Sequence, residues 1–174
     1  VVFRMKTSVT DLVGESSVEG VALDDGTTLP CDVLVEAIGS HENTEWLEGN
    51  DLDLSAGVLA DNDLRVLRQN GVAWDNVFVV GDVARFPNPA YDDDARQIEH
   101  WNIPTETAKR VAQVFTEQAQ GEFRPIPSFW TDQYDNHLLA YGVLALADDV
   151  KLIDGDITGD CVFGYYRSGT MVGV

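Results

Sequence analysis

The chain has 174 residues, with 30 Asp and Glu against 11 Lys and Arg for a formal net charge of -19. Its 44% hydrophobic content and 16 aromatic residues supply a real core and exclude a disordered segment. A chain this acidic, with no basic patch, is a poor ligand for nucleic acid or an anionic membrane, and its apolar runs fall far short of the roughly 20 residues of a membrane span.

The first residues, Val1 to Lys6, lack the apolar stretch and cleavage site of a signal peptide. They do not begin with Met, and the last apolar pattern is still running at Val174, so truncation at both ends is expected. Cys31 and Cys161 are too few for a disulfide scaffold and form no metal-binding pair, which makes the cytoplasm the simple compartment.

In chain order, Val9 to Val13, Val18 to Leu23 and Thr28 to Leu29 read as short strands, the last two joined by the turn signal Asp24-Asp25-Gly26. Cys31 to Gly39 reads as a mostly buried strand ending in glycine. One helical turn is expected between Asn43 and Glu48, and two short strands around Asp61-Asn62-Asp63. Val77-Phe78-Val79-Val80 reads as a compact strand running straight into Gly81-Asp82. Strand ends of this kind are ligand positions in α/β proteins, although an aspartate there can equally satisfy local turn amides. A loop containing Pro87, Pro89 and Asp92-Asp93-Asp94 follows. A helix is then expected from Asn102 as cap to Gly121, with Ala108, Val111, Ala112 and Phe115 on its apolar face and Lys109, Arg110, Gln113 and Glu117 on the other. From Pro125 onward, His137 to Gly142, Val150 to Ile153 and Cys161 to Tyr166 alternate as antiparallel strands, and the end of the chain reads as strand, turn, strand. Residues 1–105 hold 20 acids against 6 bases, and residues 106–174 hold 10 against 5, so the acidity is concentrated upstream.

Several segments together resemble one family. Leu34 to Gly39, Gly57-Val58, Asn76 to Ala84, Glu99-His100-Trp101-Asn102 and Phe129 to Asp135 are similar to the C-terminal half of FAD-dependent NAD(P)H:ferredoxin reductases of the oxygenase and cytochrome P450 supply type. These are relatives of the pyridine nucleotide–disulfide oxidoreductases. The resemblance implies an α/β fold. Residues 1–43 would end an NAD(P)-binding domain, residues 44–118 would form the second segment of an FAD-binding domain, and residues 123–174 would begin a small α+β C-terminal domain. It implies FAD and NAD(P)H as cofactors, ferredoxin as partner, compatibility with a homo-oligomer, and no role for metal.

On the same resemblance, Gly81 and Asp82 meet the ribityl chain of FAD, and Glu99, His100 and Trp101 lie beside its ring system. Trp101 shields the hydride-transfer site, where no acid–base residue is needed. Trp130, Arg85 and Arg96 are the partner-facing candidates; tryptophan packing between domains and solubilising arginines are the plainer alternatives. No Gly-x-Gly-x-x-Gly fingerprint occurs in the 174 residues, so this piece alone is expected to be inactive. An NADH oxidase, a nitrite-reductase-like flavoprotein subunit and a non-catalytic binding module are the competing readings.

Overall fold

A computed structural model describes all 174 residues. The chain divides into two compact units, Val1–His41 and Glu42–Val174.

In the first unit, β1 (Val9–Val13), β2 (Gly20–Leu23) and β3 (Thr28–Pro30) form an antiparallel sheet in the order β1-β2-β3. The Asp24-Asp25-Gly26 signal does turn the chain: the Asp25 carboxylate accepts from the Thr27 amide and hydroxyl, at 2.9 and 2.6 Å. Val21 and Leu23 are the buried side of this sheet. The strand expected over Cys31–Gly39 does not form. Cys31 still donates to the Glu19 carbonyl at 3.1 Å beside β2, but beyond it no strand of the unit offers a ladder to join, and Val33, Val35 and Ile38 are exposed.

The second unit opens with a 3-10 turn at Glu45–Leu47, where a helical turn is expected. Strand β4 (Val58–Leu59) pairs in parallel with β7 (Ala84–Asn88), and β7 pairs antiparallel with β8 (Asp92–Gln97). Strand β5 (Arg65–Leu67) pairs antiparallel with β6 (Ala73–Phe78). Val58, Ala60, Leu64, Val66, Val79, Ala84, Phe86 and Ile103 close around one another as the core of this region. Gly57 is obligatory at the start of β4. It sits at φ +75, and a Cβ there would lie 2.6 Å from the Val83 carbonyl oxygen, whose neighbour Val58 donates to that same oxygen at 2.7 Å.

Three expectations need correction. Strand β6 stops at Phe78, so Gly81-Asp82 lies in the turn before β7 and not at the tip of a strand. The loop expected through Pro87 and the three aspartates is the β7–β8 hairpin; Pro87 costs the ladder a donor, and Arg96 neutralises Asp92 within it. The single α-helix, α1 (Asn102–Phe115), begins with Asn102 inside it and Trp101 at the cap position. Its buried positions are Ile103, Thr107 and Arg110, whereas Ala108 is exposed and Phe115 is 66% exposed.

Beyond α1, β9 (Ser128–Gln133) and β10 (Asn136–Tyr141) form a hairpin. Strands β11 (Asp149–Gly155), β12 (Cys161–Arg167) and β13 (Thr170–Gly173) form an antiparallel sheet in that order, as the alternation predicts. No helix is long and apolar enough to cross a membrane.

Candidate functional site

The site lies where the turn before β7 meets the start of α1. Gly81 takes φ +79, a conformation that resists a side chain, and its carbonyl accepts from the Ala84 amide at 3.0 Å to close the turn. The Gly81 amide donates to the Thr107 hydroxyl oxygen at 3.1 Å, while that hydroxyl turns back to the Ile103 carbonyl at 2.8 Å. Thr107 is fully buried, so one side chain fastens the turn to the second turn of the helix. Gln97 on β8 holds the other side, donating from Nε2 to the Asp82 carbonyl at 2.8 Å. With its backbone held, Asp82 exposes a carboxylate that makes no bond to the rest of the chain.

Glu99, His100 and Trp101 come next, immediately before α1. His100 is half-buried, its ring tilted against Phe129 at 5.2 Å between centroids, and its Nδ1 is buried without a partner. Burial pushes its pKa below the ordinary 6.5, so the ring is held neutral. A cavity of about 620 Å³ opens beside it, bounded by Ile98, Glu99, His100, Phe129, Val143 and Leu144 among others. Trp101 is 83% exposed and Trp130 on β9 is 51% exposed, and their rings stand 6.2 Å apart at 48°. The fold therefore gathers Gly81, Asp82, Glu99, His100 and Trp101 around one helix start, with Trp130 as neighbour to Trp101.

Arg85 and Arg96 are placed differently. Arg85 pairs with Asp53 at 2.5 Å, and Arg96 pairs with Asp92, which also receives Arg167 at 2.7 Å. Both guanidiniums are mostly covered; Arg96 is committed to its carboxylate, while Arg85 has a charge contact with Asp53 and a buried Nε without a hydrogen-bond partner. Asp53 is held down to about 2 by the Ser55 amide and hydroxyl and then by Arg85, and Asp92 is held well below the carboxylate range chiefly by Arg96. Thr107 and Gln97 were not legible in the sequence. A threonine inside a helix ordinarily bonds back to its own helix, and nothing in its neighbours signals a second partner.

The residues present fit a flavin. Gly81 leaves open space beside its Cα, with Pro104 Cβ at 4.0 Å the only atom an added Cβ would meet, and Asp82 offers a free acceptor to hydroxyl donors. The start of α1 also contributes the positive end of a helix dipole next to both.

Comparison with known proteins assigns the class. Residues 1–114 match the model of the pyridine nucleotide-disulphide oxidoreductases, and the chain belongs to that family. It is 30% identical over 160 residues to a probable ferredoxin reductase, CtmF, of Castellaniella defragrans, a match covering 90% of this chain and 37% of that one. It is 26% identical over 145 residues to a peroxisomal monodehydroascorbate reductase 1 of Oryza sativa, covering 82% of this chain and 29% of that one. The crystal structure of a ferredoxin reductase from Rhodopseudomonas palustris superposes with a TM-score of 0.80 at 28% identity, over 96% of this chain and 40% of the other. The chain thus spans well under half the length of these relatives.

Proposed function

We propose that these 174 residues belong to an FAD-dependent NAD(P)H:ferredoxin reductase. In that reading residues 1–43 end its NAD(P)-binding domain, residues 44–118 are the second segment of its FAD domain, and residues 123–174 begin its small C-terminal domain. The observation that carries this is the free Asp82 carboxylate, presented on a turn that Thr107 and Gln97 tie to the start of α1. Held by Gly81 and Asp82, FAD would supply the redox chemistry between a hydride donor such as NAD(P)H and a one-electron iron–sulfur acceptor.

The chain's own residues bind, orient and shield. Asp82 accepts from ribityl hydroxyls, and Gly81 lets them come close. The positive end of the α1 dipole would favour electron density on a bound ring, with the Glu99 carboxylate just before it acting in the opposite sense. His100, whose burial disfavours its protonated form, adds no charge there near neutral pH. Trp101 covers the hydride-transfer site against water. Alone, the piece lacks a pyrophosphate cradle and is inactive.

The exposed Trp101 and Trp130 supply the partner face, because few cations are left to do so. Of the 11 Lys and Arg, Arg4 and Lys6 lie in the first unit; all the others stand in ion pairs except Arg68, which lies 3.9 Å over the Trp74 ring. Electrostatic help from Arg85 or Arg96 would require loosening pairs already made. Similarity to a monodehydroascorbate reductase favours one second reading, the same flavin site serving a small organic acceptor.

The test uses the full-length protein. Asp82→Ala should weaken FAD retention by about 10- to 100-fold, the worth of a hydrogen bond to a charged acceptor, with Asp82→Asn in between. Unchanged flavin absorbance after dialysis of Asp82→Ala would remove the basis of the proposal. Ferredoxin or monodehydroascorbate reduction by the NADH-bleached protein decides the acceptor.

A further inference from the structure

The segment between α1 and β9 has little regular structure of its own, yet its backbone is gripped at almost every residue. Arg110 donates to the carbonyls of Gln120 and Gly121, at 3.3 and 2.7 Å. Asn62 takes both backbone groups of Phe123, accepting from its amide at 2.7 Å and donating to its carbonyl at 2.8 Å. Asn88, buried, donates to the Pro125 carbonyl at 2.7 Å. Asn102 donates to the Ile126 carbonyl at 2.8 Å and accepts from the Ser128 amide at 3.0 Å.

The last grip differs from the others in what stands on either side of it. A carboxamide that bonds a carbonyl and the amide two residues later reproduces the pairing of a neighbouring strand, so it fixes both the position and the direction of the segment. Asn102 is the residue after Trp101, and Ser128 is two residues before Trp130 and begins β9. The clasp therefore links the two backbones that carry the exposed indoles, each within two residues of its ring. Two aromatic contacts act beside it: that between the indoles themselves, and that of His100 with Phe129, one residue before each indole. A tilted aromatic pair contributes about 0.5–1.5 kcal/mol beyond its burial, comparable to the hydrogen bonds of the clasp, but only the clasp fixes the direction of the segment.

We propose that Asn102 is a positioning residue. Its amide clasp on Ile126 and Ser128 sets the Trp101–Trp130 pair, and through that pair the face offered to the electron-accepting partner. The second half of this statement rests on the ferredoxin reductase reading; the first half does not. Among the neutral residues only Asn has both a donor and an acceptor at this length. Asp loses the donor and turns an oxygen toward the Ile126 carbonyl, and Ala loses both bonds.

Two indoles held at a fixed tilt a few ångströms apart couple, giving paired far-ultraviolet circular dichroism bands of opposite sign. The experiment compares full-length wild type, Asn102→Ala, Asn102→Asp, Asn88→Ala and Trp130→Phe, the last defining the coupled signal by abolishing it. Asn102→Ala should lose most of the paired bands and raise KM for a bacterial ferredoxin that the wild type reduces by about tenfold, the worth of the two bonds lost. Asn102→Asp should fall between and carries the comparison if Asn102→Ala fails to fold. Asn88→Ala cuts the same segment at Pro125 and should lower thermal stability while leaving bands and KM in place.

Paired bands that survive in both Asn102 variants overturn the proposal, as does their equal loss in Asn88→Ala. Loss of the bands with an unchanged KM overturns the partner half. A wild type that reduces no ferredoxin, but whose bands respond as stated, refutes the reductase reading and upholds Asn102.

Discussion

His100 shows how a single side chain gives the site a pH dependence. The folded ring resists a proton because it is partly buried with Nδ1 unpaired, whereas the unfolded ring takes one near 6.5. The unfolded state therefore binds more protons below 6.5, and stability present above that pH declines as pH falls from 6.5 through the lower folded value. In urea titrations of the full-length protein between pH 7.5 and pH 5, His100→Gln should flatten this decline. A variant that declines as steeply as wild type would show that the burial of His100 does not govern it. Gly81 and Asp82 stand out in the sequence as a glycine and an acid after four apolar residues, but residue types alone leave a local turn equally open, and only the resemblance implies their place at a flavin. His100 was visible only through the resemblance. Thr107 and Gln97 were not, and Asn102 reads in the sequence as a helix cap and motif residue instead of a clasp, because each acts through one hydrogen bond or two to a residue at least 15 positions away, and no local pattern records such a partner.

At the level of elements, α1 is where periodicity misled. The stripe of Ala108, Val111, Ala112 and Phe115 is regular, but the helix buries the neighbouring stripe that carries Arg110. The reason is a charge partner on a different element: Arg110 donates to Asp63 through Nε and Nη2 at 3.1 and 2.6 Å, and gives two further donors to Gln120 and Gly121. A guanidinium so fully satisfied can be buried, and hydropathy counts it as surface regardless. Arg110→Met should destabilise the protein by about 3 kcal/mol, the low end for breaking a buried pair, because Asp63 keeps Arg65 at 2.8 Å. A loss below about 1 kcal/mol in equilibrium denaturation would place the pair with ordinary surface bridges. The β7–β8 hairpin was missed for a related reason, since proline and three aspartates argue against a strand until Arg96 and Arg167 are seen to neutralise Asp92. Cys31–Gly39 failed in the opposite direction. Its apolar pattern suits a buried strand, and a strand forms only where another stands beside it.

Across the whole molecule, two electrostatic effects of opposite sign compete, and their magnitudes decide between them. Most ion pairs here are at least partly exposed and contribute roughly 0–1 kcal/mol each. Against them stands a net charge of -19 on 174 residues, whose repulsion acts between every pair of like charges within a screening length. Raising salt shortens that length from about 30 Å at 0.01 M to about 8 Å at 0.15 M, and so weakens the many long-range repulsions more than the few short contacts. Stability of this chain near pH 7 should therefore rise with added sodium chloride, read as a higher urea midpoint at constant slope. Acid reverses the balance. Asp53, lowered to about 2 by the Ser55 amide and hydroxyl and by Arg85, and Asp92, lowered by Arg96, contribute stability that is complete above their ordinary 3.8 and is lost as pH falls from there toward 2. The urea midpoint should drop between pH 4 and pH 2 as these two contributions are lost. The acid drop should shrink in Asp53→Asn. A midpoint that falls with salt at pH 7 would mean that the ion pairs, and not the surplus charge, dominate the electrostatics of the fold.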